Sequence, residues 1–271
     1  MKYISSRDNP SFKALRLLAH SARERRKQGR TVLDGPHLVE AYVRRVGTPL
    51  LLAASERGMA QEEIRRLVDD HSRSIATLFS DALFAEFSPV ETPTGLLALI
   101  DIPEARPPLH IDSSCIVLDA VQDAGNVGSI LRTAAAADVP LVLLTEGCAR
   151  VWSPKTLRAA MGAHFELTMV ERADVARLLA NYSGQVLATR LDRGESLFDL
   201  DLAGPVAWLF GSEGAGLSTE LAALPGEAVR IPMPGAAESL NVAAAAAICL
   251  FEQVRQRQAR RAGIAAPRVG G

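Results

Sequence analysis

Cysteines, aromatic side chains and long apolar runs are all scarce in this chain of 271 residues. The cysteines are Cys115, Cys148 and Cys249, an odd number at wide spacing, which argues against a disulfide framework and a zinc site. The five histidines show no H-E-x-x-H spacing, so no catalytic metal is expected. No apolar run approaches the ~18 residues of a membrane span. The N-terminus lacks a signal-peptide core, so we expect a protein of the cytoplasm that binds neither membrane nor metal.

The net charge of −1 hides an uneven distribution along the chain. Residues 1–30 have a net charge of +7 and residues 251–271 have a net charge of +4, so the remaining residues sum to −12. A basic arm on an acidic body favours a polyanion such as nucleic acid as partner. A solvated helix face would have a similar composition, so charge alone leaves both readings open. The candidate nucleic-acid contacts in the arm are Arg23, Arg25, Arg26, Lys27 and Arg30.

Short apolar segments alternate with helix-forming segments in the first hundred residues. The pattern predicts strands at 31–35, 49–55, 74–80 and 95–101, with helices near 36–46, 61–71 and 81–87. A stretch with three prolines follows at 101–113, and we interpret it as a linker. The sequence therefore predicts a small α/β domain over residues 1–100.

A second α/β domain is predicted over residues 114–262, followed by a flexible tail at 263–271. Its helices include one with Ser153 as N-cap and Pro154 at the first helical position. Because strands and helices alternate with short loops, we expect a mostly parallel sheet covered on both faces. The predicted strands are 115–120, 140–145, 164–170, 185–191, 205–210 and 228–231.

Two loops of the second domain, 209–216 and 231–242, follow predicted strands and are rich in glycine or proline. Glycine after a strand lets backbone groups approach a ligand closely, because no Cβ intervenes. The second loop leads into a long alanine-rich helix whose first N–H groups are free, with Ser239 as the expected N-cap. The pair of loops predicts a site for a small ligand.

Three polar clusters punctuate the same domain. They comprise Asn126 with Arg132, then Glu213, then Ser239 with Asn241. Each cluster has a structural alternative when taken alone. Asn126 and Ser239 could simply cap helices, Arg132 could pair with an acid, and Glu213 could be an exposed carboxylate of a turn.

Taken together, the clusters resemble the three motifs of the SpoU family, RNA ribose 2′-O-methyltransferases of the SPOUT superfamily. The motifs are N-x-x-x-x-x-R from Asn126, G-x-E-x-x-G from Gly211 and I-P-M-x-G-x-x-x-S-L-N-V from Ile231. The resemblance extends over residues 115 to about 255 and includes S-P-x-x-x-R-A from Ser153. More weakly, residues 9–13 and 31–41 resemble the family's ribosomal-protein-like substrate-binding domain. Departures from the pattern occur at Ala124 and Ala160.

The resemblance implies S-adenosylmethionine as cofactor, a deep trefoil knot in the C-terminal domain and a homodimer. It implies an RNA substrate, ribosomal RNA more than transfer RNA, with Arg158 as a further RNA contact. The implied catalytic residues are Asn126, Arg132, Glu213, Ser239 and Asn241, and the implied cofactor contacts are Thr189, Gly211, Ile231, Met233 and Leu240.

The role of Arg132 stays open at this point. The family's usual account makes this arginine the general base, yet a guanidinium is effectively always protonated in proteins. A clamp for the 2′-oxyanion or a phosphate is the alternative role.

Two other functions remain alternatives. A non-catalytic RNA-binding protein could retain the methyltransferase fold, although all five polar residues are present. A nucleotide-dependent oxidoreductase or hydrolase would need a phosphate loop, and the segment after the first strand of the second domain does not fit the G-x-G-x-x-G pattern.

Overall fold

The computed structural model describes residues 1–72, 74–104, 107–191 and 193–263, which form two compact units. Unit 1 comprises residues 1–104 together with 152–165, and unit 2 comprises the other described residues. Two short 3-10 turns, Ala163–Phe165 and Leu197–Asp199, supplement the regular elements.

The elements are numbered along the chain. The strands are β1 (Lys2–Ile4), β2 (Arg30–Asp34), β3 (Leu51–Ser55), β4 (Ala76–Phe79), β5 (Leu96–Asp101), β6 (Cys115–Asp119), β7 (Leu141–Leu144), β8 (Thr168–Glu171), β9 (Gln185–Thr189), β10 (Glu195–Ser196), β11 (Val206–Gly211) and β12 (Glu227–Arg230). The helices are α1 (Pro10–His20), α2 (Ala22–Gln28), α3 (Pro36–Arg45), α4 (Glu56–Ala60), α5 (Glu62–Ser72), α6 (Asp81–Phe87), α7 (Ala124–Ala136), α8 (Pro154–Ala160), α9 (Val175–Leu179), α10 (Thr219–Ala222) and α11 (Val242–Arg261).

Unit 1 is built on a mixed sheet in the order β1-β4-β3-β5-β2. Strand β4 lies parallel to β1 and β3, whereas β5 runs antiparallel to β2 and β3. Successive side chains of a strand point to opposite faces, so Val32 and Leu33 belong to different cores. Val32 packs with α1 and α6 residues such as Phe12 and Phe84, and Leu33 packs with α3 and α5 residues. The predicted small α/β unit thus has helices on both faces of its sheet.

Residues 152–165 differ from the predicted boundaries. We expected them within the 114–262 domain, but they belong to unit 1 because their apolar side chains complete its core. Leu157 of α8 is fully buried beside β2 and α3 residues, and the Phe165 ring meets the Tyr42 ring edge-on at 5.4 Å. Thr31 Oγ1 donates to the Trp152 carbonyl at 2.9 Å. Ser153 and Pro154 do begin α8 as expected, with Ser153 Oγ accepting from the Thr156 N–H.

Unit 2 contains a sheet in the order β10-β12-β9-β11-β6-β7-β8, and every pairing in it is parallel. The interior strand β6 is buried along its whole length, as expected for a strand covered on both faces. The strand expected at 164–170 begins only at Thr168, since 163–165 form a 3-10 turn of unit 1. The short strands β1 and β10 were not expected. The trefoil knot stays a prediction.

Helix α11 is held to the unit 2 sheet by buried polar side chains. Gln253 Oε1 accepts from the Trp208 indole N–H at 3.0 Å, and Gln253 Nε2 donates to Ser114 Oγ at 3.1 Å. Gln256 Oε1 accepts from the Leu202 N–H at 2.8 Å. Because buried polar groups need partners, these bonds fix the helix relative to β11 and to the chain before β6. None of the described helices is long and apolar enough to span a bilayer.

Gln253→Leu should lower the free energy of unfolding by about 1–3 kcal/mol, because it leaves the buried Trp208 indole N–H without its hydrogen-bond acceptor. Urea denaturation followed by tryptophan fluorescence measures the change. Gln258→Leu is the matched control, since Gln258 is exposed on the same helix, and it should change stability by less than about 0.5 kcal/mol. Equal effects of the two substitutions would contradict the role of Gln253.

Candidate functional site

A cavity of about 650 Å³ lies in unit 2 where β9, β11 and β12 end and α11 begins. Its size is within the range of roughly 300–1,000 Å³ usual for small-molecule sites. Parallel strands direct their carboxyl ends to one edge of the sheet, which is the usual place for a ligand in such folds. All five residues expected to bind the cofactor line this cavity, namely Thr189, Gly211, Ile231, Met233 and Leu240.

The loop after β11 closes on itself. Ser212 and Gly216 exchange backbone hydrogen bonds of 3.0 and 2.9 Å, and Gly216 has a φ of +68°. A Cβ at Gly211 would lie 2.1 Å from the Gly216 carbonyl carbon. Glycine at 211 is therefore required by the loop itself, before any ligand is considered. A larger residue at 211 would disrupt the loop, so loss of binding in such a variant would not by itself locate the cofactor.

Asp119 pins the far end of this loop to the sheet. Its carboxylate is 4% exposed, with Oδ1 accepting from Thr145 Oγ1 at 2.8 Å and Oδ2 accepting from the Ser218 N–H at 2.6 Å. Sequence reasoning missed this residue. The available signal was an acid at the end of an apolar strand, followed by Ala120, which adopts a left-handed φ of +51°.

Helix α11 begins at Val242 because Asn241 is its N-cap. Asn241 Oδ1 accepts from the Ala243 and Ala244 N–H groups at 2.9 and 3.3 Å. The expectation that Ser239 caps this helix was wrong, since Ser239 precedes the cap by two residues. Ser239 is exposed and lines the cavity, and its hydroxyl has no hydrogen-bond partner among the described residues.

Three of the five predicted catalytic residues meet in one polar cluster. Asn241 Nδ2 donates to Asn126 Oδ1 at 2.9 Å and to Glu213 Oε1 at 3.1 Å. Asn126 Nδ2 donates to the same Glu213 oxygen. The Asn126 N–H is held in turn by the Asp123 side chain, which caps α7. Two asparagines from segments far apart in sequence thus both donate to the carboxylate of a third segment.

Arg132 stands apart from this cluster. It is exposed on α7 and, within the described part of the chain, has no hydrogen-bond or ion-pair partner and does not line the cavity. Six residues turn an α-helix by about 600°, so Arg132 points about 120° away from Asn126 and lies ~9 Å further along the axis. The alternative in which Arg132 pairs with an acid therefore has no support among the described residues.

Arg190 is a cavity residue that sequence reasoning missed. It follows Thr189 at the end of β9, is half-buried, and its guanidinium has no partner among the described residues. Thr189 itself is engaged, because its Oγ1 donates to the Leu209 carbonyl at 2.9 Å. The only sequence signal for Arg190 was its position next to a predicted cofactor contact.

None of the three cysteines is among the described residues that line this cavity. Burial raises the pKa of the Cys115 and Cys249 thiols to about 12, so both are neutral core residues near pH 7. Burial also raises the pKa of Cys148, whose Sγ donates to the Leu118 carbonyl. Among the residues that the structure describes, no group of three or more His, Cys, Asp or Glu side chains is arranged to hold a metal.

The basic residues of α2, all in unit 1, fall into two groups. Arg23, Arg26 and Lys27 are exposed, and none has a hydrogen-bond or ion-pair partner in the described part of the chain. Arg25 instead donates to the Leu18 and Ala19 carbonyls at the end of α1, at 2.7 and 3.1 Å. The first group is therefore better placed for contact with a polyanion.

Two further predicted RNA contacts of unit 1 lie beside acids. Arg30 forms an ion pair of 2.9 Å with Asp101. Arg158 is exposed on α8 and lies close enough to Asp34 to influence its ionisation. Burial raises the pKa of Asp34, and the Arg158 guanidinium offsets part of this rise. Asp34 is 8% exposed, and its Oδ1 has no hydrogen-bond partner among the described residues. A role in RNA binding stays a prediction for both arginines.

The chain is similar in sequence and in fold to known RNA methyltransferases. Residues 113–251 match the model of the SpoU rRNA Methylase family. An uncharacterized tRNA/rRNA methyltransferase of Synechocystis is 34% identical over 94% of each chain. The 23S rRNA (guanosine(2553)-2′-O)-methyltransferase RlmP of Bacillus subtilis is 33% identical over 93% of this chain and 98% of its own. The SpoU methyltransferase AviRb of Streptomyces viridochromogenes, solved in complex with AdoMet, superposes with a TM-score of 0.80 at 27% identity, covering 93% and 100% of the two chains.

Proposed function

This chain belongs to the SpoU rRNA methylase family, and we propose that it transfers the methyl group of S-adenosylmethionine to a ribose 2′-hydroxyl of ribosomal RNA. The observation that carries the proposal is the Asn126–Glu213–Asn241 cluster beside the cavity, in a chain similar over nearly its whole length to RlmP. The non-catalytic alternative has no comparable support, because each of the five expected polar residues is present in the sequence. A nucleotide-dependent oxidoreductase or hydrolase is excluded by the family.

The cavity suits S-adenosylmethionine by its size and its chemistry. Apolar side chains such as Ile231, Met233 and Leu240 can cover the adenine, and the loop after Gly211 brings backbone groups close to the ligand. The guanidinium of Arg190, which has no partner among the described residues, would complement the carboxylate of the methionine part. When bound, the cofactor supplies an electrophilic methyl group on a sulfonium. A dry, preorganised site then favours in-line attack by the ribose oxygen.

Arg132 is proposed to stabilise the charge that develops on the 2′-oxygen or an adjoining phosphate. A guanidinium stays protonated, so it acts as a donor and a positive charge. Its position on α7, directed away from Asn126, suits a site completed by a second copy of the chain. We therefore propose a homodimer in which Arg132 of one subunit serves the cavity of the other. The exposed Phe251 of α11 and Phe198, on a turn that packs against α11, are candidates for the apolar part of this interface.

RNA is proposed to be held through unit 1, with Arg23, Arg26 and Lys27 contacting phosphates. Phosphate contacts position the RNA without reading its sequence, so target choice would come from the shape of a folded loop or junction. Such a substrate fits a protein of the cytoplasm.

The proposed activity is tested by mapping 2′-O-methyl groups in cellular ribosomal and transfer RNA with and without this gene. One ribosomal site should lose its methyl group when the gene is deleted, and purified protein with S-adenosylmethionine should restore it. A site lost from transfer RNA alone would contradict the choice of ribosomal RNA. An unchanged methylation map together with no methyl transfer in vitro would overturn the proposed function.

Arg132→Ala should lower the rate of methyl transfer by about 10²–10³ while leaving the affinity for S-adenosylmethionine within about threefold. Arg132→Lys should also be poor, because it keeps the charge but loses the planar donor fork. Single-turnover kinetics and calorimetry measure the two quantities. Full activity in Arg132→Ala would end this assignment. Arg177→Ala is the control, since Arg177 is exposed on α9 outside the cavity lining.

The shared site can be tested by mixing two inactive variants, Arg132→Ala and Asn241→Ala. Random reassociation makes half of the dimers mixed, and each mixed dimer has one intact site, so about a quarter of the wild-type activity should return. Sedimentation should show a species of twice the 29.0 kDa chain mass. No gain on mixing, or full activity in a monomer, would contradict the shared site.

Replacement of Arg23, Arg26 and Lys27 by glutamine should weaken RNA binding and reduce the salt dependence of affinity. Each lost phosphate contact lowers the slope of log affinity against log salt by roughly 0.7–0.9. A triple variant of Arg44, Arg65 and Arg66 to glutamine is the control, since it removes the same charge from exposed positions of α3 and α5. Equal slopes for the two triple variants would show that α2 is not the RNA surface.

A further inference from the structure

We propose that Glu213 accepts, at its Oε2 atom, the proton that leaves the ribose 2′-hydroxyl during methyl transfer. The inference rests on the proposed methyltransferase function and assigns the proton acceptor within the same site. It gives Glu213 a chemical role in place of an orienting one, and it leaves Arg132 as the positive clamp.

The lining of the cavity narrows the choice of base. Glu213 is the one carboxylate that lines it in the described part of the chain, and no His, Lys, Cys or Tyr side chain does so. The remaining polar side chains of the lining are hydroxyls, an amide and the Arg190 guanidinium. None of these is a base near neutral pH, because a guanidinium stays protonated and a hydroxyl or amide gains no proton there. Asp119, a buried acid bonded to the end of the loop that carries Glu213, has both oxygens engaged by Thr145 and Ser218.

The two carboxylate oxygens of Glu213 differ in their hydrogen bonding. Oε1 accepts from the side-chain amides of both Asn126 and Asn241. Oε2 has no hydrogen-bond partner among the described residues, and the side chain is exposed at the cavity. These two hydrogen bonds to Oε1 therefore leave Oε2 available to a substrate hydroxyl. They are also kept after proton transfer, because a carboxylic acid protonated at Oε2 has a carbonyl oxygen at Oε1 that can accept from the two amides.

The backbone around Glu213 is held at both ends. The Ser212–Gly216 backbone pair closes the loop that carries the residue, and the bond from the Ser218 N–H to Asp119 fixes the chain just beyond it. A catalytic group needs placement to within a fraction of an ångström, and a loop pinned in this way provides it.

The chemistry of the step balances without another reactant. A bond forms between the methyl carbon and O2′, the sulfur–methyl bond breaks with its electron pair remaining on sulfur, and the 2′ proton passes to Oε2 of Glu213. A cation and a carboxylate thereby become a neutral thioether and a neutral acid, which later returns its proton to water. The O2′ proton becomes strongly acidic as the carbon–oxygen bond forms, so a carboxylate suffices as the acceptor.

The deciding variant is Glu213→Gln, because the glutamine carbonyl can still accept from both asparagine amides while the basic oxygen is lost. We expect the rate constant of single-turnover methyl transfer to fall by about 10²–10⁴. The dissociation constants of S-adenosylmethionine and of RNA, measured by calorimetry, should stay within about threefold of wild type, as should the melting temperature within a few degrees. Glu220→Gln, an exposed acid on α10, is the matched control and should leave all four quantities unchanged.

A pH series separates proton acceptance from positioning. The wild-type rate should fall at acidic pH, since a protonated carboxyl cannot accept a proton, and this acid limb should persist in Arg132→Lys but vanish in Glu213→Gln. Added formate should recover part of the rate in Glu213→Ala.

Three outcomes would overturn the proposal while leaving the methyltransferase function intact. One is a near-normal rate in Glu213→Gln, and another is an unchanged acid limb in that variant. The third is a weakening of cofactor affinity that accounts for the whole loss of rate, which would assign Glu213 to the ammonium or sulfonium group instead. Absence of ribose methylation by the wild-type protein would instead remove the proposed function itself.

Discussion

The side chain of Asn241 is the point on which the site depends, because it serves a helix and a polar cluster at once. Its oxygen accepts from the first free N–H groups of α11, and its nitrogen donates to Asn126 and Glu213. An amide is suited to this double role, since it has both an acceptor and a donor end. The position of Asn241 is set in turn by α11, whose buried glutamines are bonded to β11 and to the loop before it. A change in the packing of α11 would therefore alter the hydrogen bond from Asn241 to the Glu213 carboxylate.

The parallel sheet explains why these residues meet at all. Strands β9, β11 and β12 end at one edge, so loops that are separated in sequence open into the same space. Loop closure by Ser212 and Gly216, and the anchoring of Ser218 by Asp119, convert a glycine-rich connection into a fixed support for Glu213. Unit 2 thus combines a rigid backbone with a few side chains that have no partner among the described residues, namely the exposed Arg132 and Ser239 and the half-buried Arg190.

Local sequence patterns predicted the parts of the structure that local forces decide. Nearly all strands were found because each is a short apolar run, and the residues that the family resemblance implied as cofactor contacts line one cavity at the strand ends. These sequence patterns failed where the tertiary structure determines the role of a side chain. Ser239 and Asn241 are both good N-caps, and only the course of the loop selects Asn241. Arg25 and Arg30 read as free cations, yet one caps α1 and the other pairs with Asp101, 71 residues away.

The segment 152–165 has a consequence for biosynthesis. Its Leu157 side chain fills the core between the sheet and α3, although the rest of that unit ends at residue 104. The nascent N-terminal unit therefore emerges from the ribosome with a gap in its core, and it cannot be completed until the chain has been translated beyond residue 165. By then β6 and β7 of unit 2 have been made but β8 to β12 have not, so unit 1 is completed only after synthesis of unit 2 has begun. Severing the chain at the proline-rich linker would accordingly leave each half incomplete: one lacks part of its core, and the other carries an unpaired apolar segment.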